Sequence, residues 1–364
     1  MLKRIYLRAA AVILAAALSY PVTAGAVSAQ KCIVMDAATG RVLYEKQADS
    51  QSLIASTTKI MTALIICEQC NVLDRMRIPK EAVGIEGSSM YLQEGEVLTV
   101  QELLYGLMLS SGNDAATALA IYCAGTVEGF AALMNDKARI LGMENTHFSN
   151  PHGLDGPEHY STARDLAILT VYAMNNPIFA QTVSTKSVTV GKRTLTNHNK
   201  LLWQFTGADG VKTGYTRAAG RILVSSAVRN GRRLVCVTIN DGNDWADHKQ
   251  LLEDGFARYT VTELVQEGQL MGTASVFGGR EAQVGLIARD SFSYPVTREE
   301  TVSFVLSNKA LCYAPVVAGA DAGFAYICVE GNAVGKVAVT YDKTIEQPPV
   351  EKKSFWERLF GGFR

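Results

Sequence analysis

Three short motifs, in this order along the chain, carry residue types that nucleophilic catalysis requires. They are Ser-Thr-Thr-Lys at 56–59, Ser-Gly-Asn at 111–113 and Lys-Thr-Gly at 212–214. A single Ser-x-x-Lys carries little information, because average composition predicts about one or two copies in a chain of this length. A second copy indeed lies at Ser28–Lys31. The three motifs together are informative, because each supplies a different part of an acyl-transfer site.

Ser56 and Lys59 form the predicted nucleophile and base. Residues three apart at the start of a helix share one face, and the positive end of the helix dipole favours negative charge on the serine oxygen. A serine hydroxyl needs a base within hydrogen-bond reach, and lysine is a base only when its amine is neutral. Burial and a second cation, here Lys212, both lower a lysine pKa. Ser111 and Asn113, on a loop predicted to enter the cleft, would relay a proton to the leaving amine and hold the substrate amide.

The Lys-Thr-Gly motif predicts the strand that binds substrate. Lys212 and Thr213 carry groups that bind a carboxylate. Gly214 has no side chain to prevent a peptide from pairing with this strand. The backbone N–H groups of Ser56 and Tyr215 would form an oxyanion hole. The motif therefore predicts a site for a peptide that ends in a free carboxylate.

Hydrophobic periodicity predicts the elements that position these motifs. Apolar residues recur at helical spacing after Ser56 and in several later segments, and the pattern changes to strands after Gly207. We expect residues 30–260 to form an α+β catalytic domain, an antiparallel sheet that joins N-terminal and C-terminal strands and has helices on both sides. One predicted helix starts at Ser56, and the others cover Val97–Leu109, Asp114–Cys123, Phe130–Leu141, Ser161–Met174 and Trp245–Tyr259. The predicted strands are Cys32–Met35, Arg41–Tyr44, Gly210–Tyr215, Arg221–Val228 and Arg233–Ile239.

The C-terminal third of the chain has a different pattern. Short apolar runs separated by glycines and polar turns predict a small all-β domain over residues 261–342. Residues 343–364 are a predicted linker and tail, in which five large apolar side chains share one helical face between basic residues. Such a short amphipathic helix suits a membrane surface, and the alternative is a docked or frayed terminus. The apolar residues are Phe355, Trp356, Leu359, Phe360 and Phe363, and the basic ones are Lys352, Lys353, Arg358 and Arg364.

The first 29 residues have the layout of a secretory signal peptide. A basic segment up to Arg8 precedes the apolar run Ala9–Leu18, and small-residue cleavage sites follow at Ala24–Ala26 and Val27–Ala29. The apolar run is short for a membrane-spanning helix, so an uncleaved anchor is the weaker alternative. We therefore expect the mature protein to work outside the cytoplasm.

Composition excludes several other classes of protein. The chain has 35 basic and 35 acidic residues, so it lacks the electrostatic footprint of a nucleic-acid-binding protein. Its seven cysteines are scattered through apolar contexts and do not suggest a disulfide framework. Its five histidines include no His-x-x-x-His pair on a predicted helix. We predict that the protein needs no metal and no other cofactor.

The motifs and their surroundings resemble the low-molecular-weight penicillin-binding proteins, the D-alanyl-D-alanine carboxypeptidases, whose fold is similar to that of serine β-lactamases. The resemblance covers nearly the whole chain, including Asp36–Leu43, Ala55–Leu64, Asn150–Leu154 and Asp209–Thr216. It implies an enzyme that removes the terminal D-alanine from peptidoglycan stem pentapeptides through an acyl-enzyme on Ser56. It also implies covalent binding of β-lactam antibiotics.

The resemblance also implies residue roles and a location. Members of this family work at the outer face of the cytoplasmic membrane or in the cell wall, where the C-terminal helix would hold this protein to the membrane surface. Other members carry an arginine that helps to bind the substrate carboxylate, for which Arg217 is a candidate. The implied catalytic residues are Ser56, Lys59, Ser111 and Asn113, and the implied substrate-binding residues are Lys212, Thr213, Gly214 and Tyr215.

Two alternatives share the same motifs. A β-lactamase of class A would deacylate through a glutamate and a water, but residues 142–160 contain no Glu-x-x-x-Asn pattern, and the β-rich domain and tail would be superfluous. A long-lived penicillin adduct would distinguish a carboxypeptidase from this rival. The other alternative is a catalytically silent wall-binding protein of the same fold, which the three intact motifs do not favour.

Overall fold

The computed structural model describes residues 27–308 and 312–349. The predicted leader up to residue 26 and the predicted tail helix lie outside the described residues. The described chain forms a body of helices around an antiparallel sheet, up to Arg258, and a β-rich domain from Thr260 onward. The predicted α+β fold class is thereby confirmed.

The N-terminal body is built on a five-stranded sheet with the order β2-β1-β9-β8-β7. The first strands therefore lie beside the last ones, as predicted. The five strands of this sheet are β1 (Lys31–Asp36), β2 (Val42–Lys46), β7 (Ala208–Thr216), β8 (Gly220–Arg229) and β9 (Arg232–Ile239). Two small sheets of the body pair β3 (Arg75–Arg77) with β4 (Val97–Thr99) and β5 (Ser187–Val190) with β6 (Arg193–Thr196). Its α-helices are α1 (Lys59–Gln69), α2 (Val100–Met108), α3 (Asn113–Ala124), α4 (Val127–Ile140), α5 (Ala163–Ala173), α6 (Pro177–Ser184), α7 (Leu201–Gln204) and α8 (Asp244–Arg258).

Both faces of this sheet are covered, which is why β1, β8 and β9 are apolar nearly throughout. Successive side chains of a strand point to opposite faces. Ile33 and Met35 of β1 pack in the main core with the helices, whereas Cys32 and Val34 pack in a second cluster with Leu251 of α8. The sheet thus forms a central layer between α8 and the remaining helices.

Helix α1 runs through the centre of the main core. Its residues from Lys59 to Cys67 are all buried, and a helix that is apolar all round is expected in such a place. We predicted that the helix starts at Ser56, but Ala55–Thr58 form a 3₁₀ turn and the α-helix begins at Lys59. Ser56 therefore lies in the 3₁₀ turn and Lys59 at the start of the α-helix, so the two residues that we predicted to share one helical face are joined by a tighter turn.

One further predicted boundary was wrong. The predicted helix Val97–Leu109 is a short strand followed by α2, because Thr99 caps this helix. Its hydroxyl accepts from the Glu102 N–H at 3.1 Å, and the Glu102 carboxylate accepts from the Thr99 N–H at 2.7 Å. Residues 27–29, which we assigned to the leader, pack inside the fold: Val27 is 8% exposed and Ala29 is 0% exposed.

The β-rich domain contains a six-stranded sheet, with the order β14-β16-β17-β12-β11-β15, and a two-stranded sheet of β10 and β13. Its buried apolar residues form a core of their own. The strands are β10 (Thr260–Val265), β11 (Leu270–Phe277), β12 (Gln283–Ala288), β13 (Phe292–Val296), β14 (Val302–Asn308), β15 (Cys312–Tyr313), β16 (Asp321–Val329) and β17 (Asn332–Tyr341).

Arg41 connects the two parts of the chain. Its guanidinium lies 5.0 Å from the ring centre of Tyr259 and 5.1 Å from that of Tyr294. It also donates to the Pro295 carbonyl and forms an ion pair with Glu300. Cation–π contacts and charged hydrogen bonds on one side chain hold the β1–β2 turn against the β-rich domain.

Within residues 27–308 and 312–349, no single helix combines the length and the apolar character that a membrane span needs. Only α3 and α4 taken as a pair, bent by 84°, meet both criteria.

Candidate active site

A cleft of about 540 Å³ lies beside β7, the edge strand of the sheet. It brings together residues from all three motifs. Of the predicted site residues, Ser56, Ser111, Thr213, Gly214 and Tyr215 line it, and the other lining residues are Ser88, His198, Lys200, Arg221, Ile222, Asp244 and Trp245.

Ser56 and Lys59 are in hydrogen-bond contact at the bottom of this cleft. The Lys59 Nζ and the Ser56 Oγ lie 3.0 Å apart, within hydrogen-bond distance. The chain before Ser56 is strained, because Ala55 has a φ of +44° and non-glycine residues rarely adopt such values. Strain of this kind persists only where the surrounding packing holds it. The local conformation therefore positions the serine inside the 3₁₀ turn that precedes α1.

The environment of Lys59 favours its neutral amine. The side chain is 0% exposed. Burial, together with the charge of Lys212, holds the pKa of Lys59 well below its usual range. Its Nζ also donates to the Asn113 Oδ1 at 2.7 Å and to the His152 carbonyl at 2.6 Å. Lys59 therefore has the position and the electrostatics of a general base.

The carbonyl of His152 is a contact that the sequence did not predict. The Asn150 side chain holds this turn, because its Oδ1 accepts from the N–H groups of His152 and Gly153 at 3.2 and 2.7 Å. Gly153 has a φ of +90°, and a Cβ placed there would lie 1.9 Å from the Ala55 carbonyl oxygen. Only glycine fits this close approach. The Asn-Pro-His-Gly stretch thus delivers a backbone oxygen to the amine of Lys59.

Ser111 and Lys212 form the second polar pair of the cleft. The Lys212 Nζ donates to the Ser111 Oγ at 3.1 Å and to the Thr213 carbonyl at 2.9 Å. Burial lowers the pKa of Lys212 to about 7. Ser111 is held with a φ of +60°, a left-handed conformation that non-glycine residues rarely adopt. The cleft therefore holds two lysine–serine pairs, Lys59 with Ser56 and Lys212 with Ser111.

Asn113 is anchored by the loop at residues 86–92. Its Nδ2 donates to the Glu86 carbonyl at 2.5 Å, and its backbone N–H donates to the Ser88 carbonyl at 2.7 Å. The next residue, Asp114, is 1% exposed and accepts from the Ser89 hydroxyl at 2.6 Å and from the Leu92 N–H at 3.0 Å. A carboxylate with several donors at a helix start is stable. The loop thus fixes Asn113 against Lys59.

Gly214 is the point at which β7 passes closest to the Ser56 turn. A Cβ at this position would lie 3.2 Å from the Ile54 carbonyl oxygen and 3.3 Å from the Ser56 backbone nitrogen. The side chain of Tyr215 is 67% exposed. The N–H groups of Ser56 and Tyr215 therefore come from adjacent backbone segments at one end of the cleft, as an oxyanion hole requires.

The arginine in the cleft is Arg221, a residue that the sequence argument missed. It stands opposite Tyr215 on the neighbouring strand β8 and lines the cleft. Its Nε and Nη2 bind the Asp244 carboxylate at 3.1 and 2.5 Å, and the arginine side chain is 45% exposed. Arg217, our candidate, is exposed in the turn between β7 and β8. The signal that could have identified Arg221 was the hairpin of β7 and β8, whose register places Arg221 beside Tyr215.

Two of the histidines are held by buried hydroxyl groups. His159 hydrogen-bonds to Thr58 at 2.7 Å, beneath the Ser56 turn, and burial lowers its pKa to about 4. His248 lies between Ser225 and Thr238 at 2.6 and 3.0 Å, and burial lowers its pKa to about 3. Among the described residues there is no cluster of three or more His, Cys, Asp or Glu side chains that could hold a metal ion.

Comparison with known proteins relates both parts of the chain to one family. Residues 18–243 match the family model of D-alanyl-D-alanine carboxypeptidase, and residues 259–347 match that of the penicillin-binding protein 5 C-terminal domain. The D-alanyl-D-alanine carboxypeptidase DacC of Escherichia coli is 33% identical over 93% of this chain and 88% of its own. DacF of Bacillus subtilis is 31% identical over 85% of this chain and 84% of its own.

Solved structures agree with this relationship. Penicillin-binding protein 5 from Haemophilus influenzae matches with a TM-score of 0.73 and 29% identity, over 88% of this chain and 98% of that one. The DD-transpeptidase of Streptomyces K15 matches with a TM-score of 0.61 and 36% identity, over 64% of this chain and 98% of that one. On this sequence and structural evidence, the chain belongs to the D-alanyl-D-alanine carboxypeptidases, a family of serine peptidases.

Proposed function

We propose that this enzyme releases the terminal D-alanine of peptidoglycan stem peptides through an ester on Ser56, with Lys59 as the general base. The observation that carries this proposal is the 3.0 Å contact between the Lys59 Nζ and the Ser56 Oγ, made by a fully buried lysine whose pKa is depressed. A base must first be within hydrogen-bond reach of its proton and then have a suitable pKa. Lys59 meets both conditions.

Acylation follows from this arrangement. The Ser56 hydroxyl transfers its proton to the Lys59 Nζ while its oxygen bonds to the carbonyl carbon of the penultimate D-alanine. The backbone N–H groups of Ser56 and Tyr215 stabilise the oxyanion. The C–N bond then breaks, and the proton passes from Lys59 through the Ser111 hydroxyl to the leaving nitrogen. Free D-alanine departs, and Asn113 holds the amide of the remaining peptide.

Deacylation again uses Lys59, first as the base and then as the acid. Water gives one proton to Lys59 while its oxygen attacks the ester carbonyl carbon. The ester bond breaks, and Lys59 returns the proton to the Ser56 oxygen. The products are the shortened peptide and the free enzyme, so protons and bonds balance over the cycle.

The substrate carboxylate would lie between β7 and β8. Lys212 and Thr213 offer an ammonium and a hydroxyl from β7, and Arg221 adds a guanidinium from β8, across from Tyr215. Asp244 orients this guanidinium with two hydrogen bonds. A carboxylate here would also stabilise the charged form of Lys212. We assign these groups to recognition of the C-terminal D-alanine.

Covalent capture of penicillin tests the nucleophile. The β-lactam amide would acylate Ser56, and the ester would persist because no leaving amine departs from the site. Mass spectrometry of the digested enzyme should find the adduct on the peptide that contains Ser56, and Ser56→Ala should abolish both the adduct and D-alanine release. An adduct elsewhere, or D-alanine release by Ser56→Ala, would refute the mechanism. Rapid turnover of penicillin would instead indicate a β-lactamase.

We further propose that the enzyme is exported and works at the outer face of the cytoplasmic membrane or in the cell wall. The basic and apolar segments before residue 19 and the amphipathic pattern between Phe355 and Phe363 support this proposal. An enzyme that ends at Glu346 should release D-alanine at the normal rate but should not sediment with anionic lipid vesicles. Equal sedimentation of the truncated and full-length mature enzymes would show that the tail is not an anchor.

A further inference from the structure

Two buried carboxylates, one that follows β9 and one in α8, meet the start of the described chain. Asp241 is 1% exposed and Asp247, in α8, is 6% exposed. The Ser28 hydroxyl, which has one hydrogen to donate, lies 2.6 Å from the Asp241 Oδ1 and 2.9 Å from the Asp247 Oδ2. The Ser28 backbone N–H donates to Asp247 at 2.6 Å. A single serine therefore bridges two carboxylates that repel each other.

The carboxylate pair has more acceptors than its neighbours satisfy. The Asp241 Oδ2 is buried and has no hydrogen-bond partner among the described residues. Burial raises the pKa of Asp241, and the charge of Asp247 raises it further. A buried carboxylate is costly unless it is paired with a cation or fully hydrogen-bonded. The pair therefore lacks a positive charge at this position.

The segment that reaches this pair is held firmly in the fold. The Lys46 Nζ, from β2, donates to the carbonyls of Val27 and Ala29 at 3.2 and 2.7 Å. The side chains of Val27 and Ala29 lie in the apolar cluster beneath α8. Cleavage after Ala29 would remove all these contacts together with Ser28. Cleavage after Ala26 would keep them and would create an α-amino group at Val27.

We infer that the leader is cleaved after Ala26 and that the new α-ammonium group of Val27 binds the Asp241–Asp247 carboxylate pair. The nitrogen of Val27 is three covalent bonds from that of Ser28, which places the two atoms about 3–4 Å apart. The Ser28 nitrogen is itself 2.6 Å from the Asp247 carboxylate. The ammonium thus lies within the distance at which opposite charges stabilise each other strongly. The small residues Ala24 and Ala26 satisfy the requirement of signal cleavage.

This inference rests on the proposed export, but its test is independent of catalysis. The enzyme is produced with its own leader in an exporting bacterial host, purified from the processed fraction, and analysed by intact mass and N-terminal sequencing. The expected first residue is Val27. A mature chain that begins at Gln30, or one that retains the leader, overturns the inference, whatever the D-alanine release assay shows.

Reactivity of the α-amine tests the carboxylate pair. The processed enzyme is treated with succinimidyl acetate at pH 7, and acetylation of the N-terminal peptide is followed by mass spectrometry. We expect acetylation at least tenfold slower in the folded enzyme than in the urea-unfolded enzyme. Asp247→Asn should remove most of this protection, whereas Asp290→Asn, an exposed position in the β-rich domain, should not.

Two outcomes would overturn the ion pair between the Val27 α-ammonium group and the two carboxylates. One is an equal rate of α-amine acetylation in the folded and the unfolded wild-type enzyme. The other is full protection of the α-amine from acetylation in the folded Asp247→Asn variant. If Asp247→Asn does not fold, Asp241→Asn replaces it, with the same expectation of lost protection. The folded-to-unfolded comparison in the wild-type enzyme needs no variant and remains a test in every case.

Discussion

Replacing Lys59 by Met tests the proposed base most directly, because methionine keeps the length of the apolar stem and removes the amine. Lys59 is the side-chain nitrogen in contact with the Ser56 Oγ, at 3.0 Å. General base catalysis contributes about 10²–10⁴ in rate, which corresponds to about 3–5 kcal/mol of activation free energy. We therefore expect the rate constant of penicillin acylation to fall by about 10²–10⁴.

The stability of this variant should change much less than its activity. The Asn113 Oδ1 and the His152 carbonyl lose a donor, which destabilises the fold. The variant also no longer buries an ionisable amine whose pKa is depressed in the folded state. Since the unfolded chain binds this proton more tightly at neutral pH, the substitution removes a penalty there. These effects oppose each other, and we expect Tm to change by no more than about 4 °C.

The assay is stopped-flow or quenched-flow acylation by a fluorescent penicillin, with D-alanine release as the second measurement. Lys192→Met is the matched control, because Lys192 is exposed in the turn between β5 and β6. It should acylate at the wild-type rate. If folded Lys59→Met keeps more than a tenth of the wild-type acylation rate, Lys59 is not the base.

Three further predictions concern the rest of the cleft. Burial is the main cause of the low pKa of Lys59, and the charge of Lys212 lowers that pKa further. Lys212→Met removes this charge, so the pKa of Lys59 should rise and the acid limb of kcat/KM against pH should move to higher pH. An unshifted limb would contradict the coupling between the two lysines. Arg221→Gln should raise KM for a D-Ala-D-Ala peptide about tenfold with a smaller change in kcat; an unchanged KM would remove Arg221 from carboxylate recognition. Gly214→Val crowds the Ser56 nitrogen, so acylation by penicillin should slow at least tenfold, and a wild-type rate would show that this close approach does not matter.

Local spacing explains why sequence reasoning found the centre of the site. Ser56 and Lys59 are three residues apart, so their proximity follows from any helical turn. The motif around Lys212 lies in a strand bounded by a turn, and alternation along the chain is enough to predict such a strand. The fold class could be predicted in the same way, because the periodicity of apolar residues that distinguishes helices from strands is a local property of the chain. The proposed roles of these residues still await the experiments above.

Long-range contacts explain what the sequence did not predict. The His152 carbonyl meets Lys59 across 93 residues of chain, and Arg221 enters the cleft only because β8 pairs with β7 in one register. Neither contact leaves a periodic pattern, and a one-residue change of register would turn Arg221 to the other face.

The sequence by itself therefore determined the residue types, the local pairs and the longer helices and strands around the motifs. The tertiary structure decided which groups are buried. Burial lowers the pKa of Lys59 and that of Lys212, and it also places residues 27–29 inside the fold, where the sequence had assigned them to a leader. The physical reason is that desolvation depends on everything packed around a group, and most of those neighbours are distant in the chain.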